Sequence, residues 1–216
     1  MKKYIAEMIG TFALVFCGTG AIIINEISNG EITHLGIAMT FGLIVLAMIY
    51  ALGDVSGAHF NPAVTIGFMV AKRMNLKETT FYIIAQVIGA LIASITLKIL
   101  FPQNQALGAT FPSGSNMQSF LLEIILTFFL FFVIISVSTG AKEKGISAGI
   151  AIGATVGLEA MFAGKISGAS MNPARSLAPA IVSGNIHSLW IYLIAPVIGA
   201  ILAVYAFYLV KTEINY

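Results

Sequence analysis

The sequence predicts an all-α membrane protein with six transmembrane helices and two re-entrant half-helices, arranged as an inverted 3+3 repeat. Three observations support this fold class. The chain of 216 residues is 58% hydrophobic and only 9% charged, whereas charged residues make up about 25% of a typical soluble domain. Six apolar stretches are long enough to cross a bilayer, and the two halves of the chain share short motifs. This composition argues against a soluble enzyme, a disordered chain and a nucleic-acid-binding domain.

The six apolar stretches account for most of the chain. A transmembrane helix needs about 20 mostly apolar residues. The predicted spans are residues 4–24, 34–53, 79–100, 119–140, 145–164 and 186–210. Because full-length spans recur throughout, we interpret residues 1–216 as one membrane domain with halves of about 1–105 and 106–216.

The basic residues indicate an orientation. They precede the first span, lie between spans two and three and between spans four and five, and follow the last span, whereas residues 25–33 and 101–118 contain no Lys or Arg. Cytoplasmic loops of membrane proteins carry an excess of Lys and Arg. We therefore expect both termini to be cytoplasmic. We also expect an integral protein of the plasma membrane. Lys165 and Arg175 fall on the outer side and are exceptions to this pattern.

Three pairs of motifs relate the halves. Residues 56–63 (SGAHFNPA) match residues 167–174 (SGASMNPA), residues 82–90 match residues 192–200, and Glu7 occupies a position like that of Glu123. Each half contains three spans, an odd number, so the second half must run inverted relative to the first. Inverted repeats place the functional site at the midplane, often on interrupted helices.

Each half carries an Asn-Pro-Ala motif that begins a short apolar stretch, at residues 61–71 and 172–183. The six motif residues are Asn61, Pro62, Ala63, Asn172, Pro173 and Ala174. Asparagine is a preferred N-cap and proline is favoured at the first helical position. Each stretch would be about 15 Å long, half of a bilayer core of about 30 Å. The motifs therefore predict two half-helices that enter from opposite sides and meet near the bilayer centre; two loops that only pack are the alternative.

Such an arrangement suits selective conduction. Two helix N-termini carry partial positive charge and disfavour cations. The asparagine amides can accept backbone N–H groups and direct their own N–H groups into the lumen. Backbone acceptors along the path are predicted at Gly57, Ala58, His59, Gly168, Ala169 and Ser170.

With these motifs the chain resembles the aquaporins, or major intrinsic proteins, over essentially its whole length. Residues 167–185 are most similar to the nodulin-like intrinsic proteins of plants and their prokaryotic relatives. The family is itself a standard example of a barrier built from half-helix dipoles and an arginine. The resemblance implies a passive channel for water and small neutral polar solutes such as glycerol, urea or neutral metalloid acids, closed to protons and ions.

The resemblance also implies a homotetramer with one pore per subunit. Its partners would be other copies, the lipid bilayer and the permeating solutes, with no nucleic acid, cofactor, metal or enzymatic activity.

A selectivity filter is implied at four positions outside the Asn-Pro-Ala pair: Phe41, Ala160, Ala169 and Arg175. Strict water channels usually carry histidine at the position of Ala160, whereas glycerol facilitators carry a small residue there, and two alanines should leave a wider opening. The chain departs from the glycerol facilitators at Ser176, where they usually carry aspartate. We therefore expect a wide filter that passes water and small uncharged polar solutes; a strictly water-selective channel is the alternative.

Two intramembrane glutamates remain to be interpreted. The resemblance implies that Glu7 and Glu123 are buried braces that accept hydrogen bonds from the re-entrant loops, while a proton relay is the competing interpretation. A secondary transporter with inverted repeats would need an ion site, for which these glutamates are the candidates. Glu159 has no assigned role; an ion pair with Lys165, a subunit contact and a vestibule wall are all open.

Overall fold

The structure is a computed structural model that describes residues 1–139 and 142–211, with the side chains of residues 142–146 outside the description. Within these ranges it is all-helical. The helices are α1 (Lys2–Ile27), α2 (Thr33–Ser56), α3 (Pro62–Val70), α4 (Leu76–Leu100), α5 (Asn116–Val137), α6 (Lys142–Ser167), α7 (Pro173–Ser183) and α8 (Leu189–Val210). Of these, α1, α2, α4, α5, α6 and α8 are long and apolar enough to cross a membrane, which confirms the predicted fold class.

The ends of the helices differ from the predicted spans where local hydrogen bonds decide them. Helix α4 begins at Leu76 rather than at residue 79, because the side chain of Asn75 accepts a hydrogen bond from the Glu78 N–H and caps the helix. Helix α8 begins at Leu189, three residues later than expected, after a turn in which the Leu189 N–H donates to the Ile186 carbonyl. Helix α5 ends at Val137, and residue 140, the predicted end, lies outside the described residues.

The two half-helices begin at the Asn-Pro-Ala motifs. Helix α3 has 9 residues and α7 has 11. Asn61 is the N-cap of α3 in an extended conformation, and its side chain accepts the Ala63 N–H at 2.9 Å. Asn172 caps α7 in the same way and accepts the N–H groups of Ala174 at 3.0 Å and Arg175 at 3.3 Å. Each proline stands at the first helical position, where no hydrogen bond is lost.

The packing follows the inverted repeat. Helix α1 packs against α2 and α4, and α5 packs against α6 and α8. The halves join through α2 with α6, while α3 lies against α8 and α7 lies against α4. The half-helices are therefore enclosed by the long helices, and their polar N-terminal ends lie in the interior.

Side-chain contacts define the two ends of the molecule. At the end that carries the chain termini, called here the terminal face, Lys3 pairs with Glu78 and the Tyr208 hydroxyl donates to the Ala71 carbonyl. At the opposite face the Asn104 amide donates to Glu26. These contacts place α3 at the terminal-face end and, by the repeat, α7 at the other.

Close helix crossings depend on glycine at matched positions. A Cβ added to Gly89 would lie 2.2 Å from the Met8 carbonyl oxygen, and one added to Gly199 would lie 2.3 Å from the Ile124 carbonyl oxygen. Both contacts are with backbone atoms, which cannot move aside as a flexible side chain can. The crossings α1–α4 and α5–α8 therefore need a residue without a side chain.

Alanine at either crossing glycine is expected to destabilise the fold. Gly89→Ala or Gly199→Ala should cost about 1–3 kcal/mol of stability, the usual range for overpacking a close contact. Thermal unfolding in detergent measures the change, with Gly53→Ala as the control, because nothing lies within 4 Å of a Cβ at that position. Equal unfolding temperatures for Gly89→Ala and Gly53→Ala would contradict the prediction.

Candidate functional site

The two half-helices are joined by a reciprocal pair of hydrogen bonds. The Asn61 side-chain nitrogen donates to the Met171 carbonyl at 2.7 Å, and the Asn172 nitrogen donates to the Phe60 carbonyl at 2.9 Å. Each asparagine therefore bonds to the loop of the other half. One N–H of each amide is used in this way, so a single N–H of each, rather than both, is left to face the lumen.

The loops that precede the asparagines have an unusual backbone that is the same in both halves. Positive φ angles occur at Ala58 (+52°) and Phe60 (+50°) in the first loop and at Ala169 (+41°) and Met171 (+53°) in the second. Such angles are uncommon in residues with side chains and persist only where the surroundings impose them. Here two buried glutamates make the hydrogen bonds that hold the loops in this conformation.

Glu7 holds the first loop. Its Oε1 accepts the Ser56 hydroxyl at 2.7 Å and the His59 N–H at 2.9 Å. Its Oε2 accepts the Phe60 N–H and the Gln86 amide, both at 2.7 Å. Four donors thus converge on one carboxylate that is fully inaccessible to solvent, so these donors, two of them loop N–H groups, are satisfied at membrane depth.

Glu123 holds the second loop with the same geometry. Its Oε1 accepts the Ser167 hydroxyl at 2.7 Å and the Ser170 N–H at 2.9 Å, and its Oε2 accepts the Met171 N–H at 2.8 Å. Two tyrosines from the matched repeat motif complete the pattern. The Tyr192 hydroxyl donates to the Ser167 carbonyl at 2.7 Å, as the Tyr82 hydroxyl does to the Ser56 carbonyl at 2.8 Å.

The halves differ in how a hydroxyl behind each loop is bonded. In the first half the Gln86 amide donates to Thr65 at 2.9 Å. The repeat aligns Gln86 with Pro196, which has no side-chain donor. In the second half the Thr110 hydroxyl donates to Ser176 at 2.8 Å instead. Thr110, in the segment that connects α4 and α5, thus takes the place that Gln86 of α4 has in the first half.

A cavity of about 730 Å³ runs beside the paired asparagines. It extends from Asp54 and Ser138 at the terminal face, past Asn61 and Asn172, to Arg175. Its wall is mostly apolar, and its polar groups come from the two loops, the half-helices and the ends of the long helices. The loop residues that line it are Gly57, Ala58, His59, Phe60, Ala169, Ser170 and Met171.

Some of the predicted pore residues stand behind this wall. The cavity is not lined by Gly168, which faces the connecting segment: a Cβ there would lie 2.9 Å from the Thr110 side chain. The proline and alanine of each motif are buried within the half-helices and are likewise absent from the wall. His59 does line the cavity; its ring stacks on Phe68 at 4.6 Å between centroids, and its Nδ1 lies 3.1 Å from the Thr65 hydroxyl.

The four predicted filter residues all line the same cavity. The Arg175 guanidinium carbon lies 5.0 Å from the centroid of the Phe41 ring, within cation–π distance. Its Nη1 donates to the Gly108 carbonyl at 2.8 Å, and its buried Nε has no partner in the part of the chain that the structure describes. Ala160 and Ala169 add only methyl groups to the wall, so the bulk and the charge come from Phe41 and Arg175.

Glu159 lies outside the cavity, next to Ala160 in sequence. It lines a separate apolar groove of about 380 Å³ between α5 and α6. It is 4% exposed, and its Oε2 has no partner among the described residues. Glu159 therefore does not line the central cavity. Within the described ranges no ion pair joins it to Lys165.

Several residues of the site were not predicted. Phe60 and Met171 supply the carbonyls that bind the asparagines, and their position before each Asn-Pro-Ala motif was the available signal. Gln86 was visible as a polar residue inside a predicted span and within a repeat motif. Gly108 carries no such signal, because its carbonyl meets Arg175 from 67 residues away in the chain.

Comparison with known proteins agrees with this geometry. A model of the major intrinsic protein family matches residues 1–207. The chain is 47% identical to Aquaporin NIP1-1 of Zea mays, with 98% of this chain and 75% of that protein covered. It is 45% identical to Nodulin-26 of Glycine max, with 98% and 78% covered. The X-ray structure of the aquaglyceroporin from Plasmodium falciparum is similar with a TM-score of 0.85 at 26% identity, covering 95% of this chain and 94% of that chain.

These matches confirm the family resemblance drawn from the paired motifs and from residues 167–185. The chain belongs to the major intrinsic protein family, the aquaporins, whose members are membrane channels rather than enzymes.

Proposed function

We propose that this channel conducts water and small neutral polar solutes through the cavity beside the paired asparagines, with a filter wide enough for glycerol, urea or a neutral metalloid acid. The observation that carries the proposal is the composition of the cavity wall at Arg175. Two alanines, Ala160 and Ala169, share this wall with Phe41 and Arg175. A histidine at Ala160 would fill space that the alanine leaves open.

Neutral solutes are favoured by the donors and acceptors along the path. The remaining N–H groups of Asn61 and Asn172 can donate to a hydroxyl, carbonyl or water oxygen. The carbonyls of Ala58 and His59, two residues that line the cavity, can accept from the solute. A polar solute thus exchanges its hydration for protein hydrogen bonds.

Cations and protons are disfavoured by the same groups. The N-termini of α3 and α7 meet at the asparagines, and each carries partial positive charge. The Arg175 guanidinium adds a full positive charge at the filter. A cation in the cavity would face these charges with part of its hydration removed, which is costly in a largely apolar passage.

The finer parts of the proposal concern assembly and placement. The family resemblance supports a homotetramer, whose mass light scattering of the purified protein would measure. The basic residues at the terminal face, among them Lys3 and Arg73, support cytoplasmic termini. Protease access to a tag at either terminus in intact cells tests this orientation.

The first prediction from the proposed function concerns filter width. Ala160→His is expected to lower glycerol and urea permeability by about tenfold while water flow is retained, because the imidazole narrows an opening that only wider solutes fill. Stopped-flow light scattering on proteoliposomes measures each flux per amount of protein. Ala160→Ser is the matched control, since it keeps the side chain small. Wild-type vesicles that pass water but no glycerol, urea or boric acid would reject the wide filter.

The second prediction concerns the buried glutamates, which we propose act as braces. Glu7→Ala and Glu123→Ala should each leave several buried donors without an acceptor, at about 1–3 kcal/mol for each such group. We expect loss of folded protein, measured by size-exclusion chromatography and thermal unfolding. Glu7→Gln, which keeps one acceptor oxygen, should be less damaging. A well-folded alanine variant with altered selectivity would point to a direct role in permeation.

The third prediction separates a channel from a coupled transporter. Solute flux should follow the solute gradient alone and should not change when ionophores abolish proton or sodium gradients. The fluxes of glycerol into vesicles with and without an imposed ion gradient provide the measurement. Accumulation of solute against its own gradient would favour transport coupled through Glu7 or Glu123.

A further inference from the structure

The position of Arg175 depends on one backbone carbonyl. The Gly108 carbonyl, at 2.8 Å from Nη1, is the hydrogen-bond partner of the guanidinium in the described part of the chain, and Nε has none. The contact with the Phe41 ring is not directional in the way a hydrogen bond is. The location of the Gly108 carbonyl therefore sets where the guanidinium lies in the filter.

Gly108 belongs to the segment 101–115, which connects α4 and α5 without a helix of its own. Its neighbour Leu107 is fully buried in a small cluster with Ile23 and Leu97. Leu107 and Gly108 both have positive φ angles, of +51° and +68°. Gly108 also approaches α1 so closely that a Cβ would lie 2.7 Å from the Thr19 side chain. This turn is thus tightly placed and conformationally costly, and it needs contacts that hold it.

Asn104 provides such contacts. Its Oδ1 accepts the N–H groups of Ala106 at 3.2 Å and Leu107 at 2.7 Å, which closes the turn that leads to Gly108. Its Nδ2 donates at 2.7 Å to a carboxylate oxygen of Glu26 near the end of α1. Both ends of one amide are therefore used, one to shape the turn and one to fix it to a helix.

Helix α1 provides a fixed reference for the segment. Thr19, Ile23 and Glu26 are spaced four and three residues apart and so share one face of the helix. Thr19 contacts Gly108, Ile23 contacts Leu107, and Glu26 binds Asn104. The segment thus follows α1 along successive turns, and the Gly108 carbonyl is positioned relative to a transmembrane helix.

We propose that Asn104, held by Glu26, is a positioning residue for the filter arginine and so determines solute selectivity without lining the cavity. Loss of the Asn104 bonds releases the turn, and the Gly108 carbonyl no longer fixes the guanidinium at the wall. Arg175 then extends over the opening left by the two alanines. Larger solutes are obstructed more than water. The inference rests on the proposed function, because it needs a channel whose opening admits such solutes.

The test compares two asparagines that both bind the same segment. Asn104→Ala removes the bonds to Glu26 and to the turn. Asn185→Ala is the matched control, because Asn185 donates to the Gln105 carbonyl at 3.2 Å from the other side and does not contact the turn at Gly108. Glycerol and water permeabilities are measured in the same proteoliposomes and normalised to folded protein.

We expect Asn104→Ala to lower the glycerol-to-water permeability ratio about fivefold, the population change that one ordinary hydrogen bond produces. Asn185→Ala should leave the ratio unchanged. Glu26→Ala should shift the ratio in the same direction as Asn104→Ala, whereas Glu26→Gln, which keeps an acceptor oxygen for the amide, should stay close to the wild type. If Asn104→Ala folds poorly, the two Glu26 variants decide the question, and equal ratios in both would overturn the proposal.

A second comparison separates positioning from a general loss of stability. In an Arg175→Ala background, Asn104→Ala should cause no further change in the ratio, because the residue through which it acts is gone. A ratio that shifts equally in both backgrounds, or equally for Asn104→Ala and Asn185→Ala, would overturn the proposal. Absence of any flux through the wild type would instead reject the proposed function, so the two failures are distinguishable.

Discussion

The structure depends on two carboxylates that satisfy bare backbone at membrane depth. Each re-entrant loop leaves helical geometry at a serine and regains it at an asparagine, and its N–H groups would be unpaired in a bilayer. Glu7 and Glu123 accept hydrogen bonds from these N–H groups and so stabilise the positive-φ conformations of the loop residues. In this arrangement the two half-helices meet end to end inside the protein, and each asparagine bonds to the loop of the other half.

The repeat is not an exact duplicate where it meets the connecting segments. Thr65 receives a donor from Gln86 on α4, whereas Ser176 receives one from Thr110 on the segment between α4 and α5. The second loop is therefore tied to that segment, which also supplies the carbonyl for Arg175. The Ser176 hydroxyl is hydrogen-bonded to the hydroxyls of both Thr110 and Ser170 in the buried interior. A small, neutral side chain at this position therefore suits this chain.

Much of the architecture could be predicted from the sequence because its determinants are local. Span length, N-caps, first-turn prolines and an odd number of spans per half indicate the helices and their inversion. The role of the asparagine amides was predicted only in part, since one N–H of each amide donates to a carbonyl in the loop of the other half. The partner of Arg175 could not be predicted, because Gly108 acts through a backbone carbonyl and any residue type has one. The groove at Glu159 was likewise beyond prediction, since helical periodicity does not distinguish the cavity wall from the outer face of α6.

The lining of the cavity differs on the two sides of the asparagines. From the terminal face it is continuous from Asp54 to Arg175, with Val64, the repeat counterpart of Arg175, adding no charge along the way. A solute that enters from this face meets no positively charged side chain among the described lining residues before it reaches the asparagines, whereas one that enters past Arg175 meets the guanidinium first. Inhibitors that bind the guanidinium and inhibitors that bind the uncharged wall would therefore have to be presented from opposite sides of the membrane.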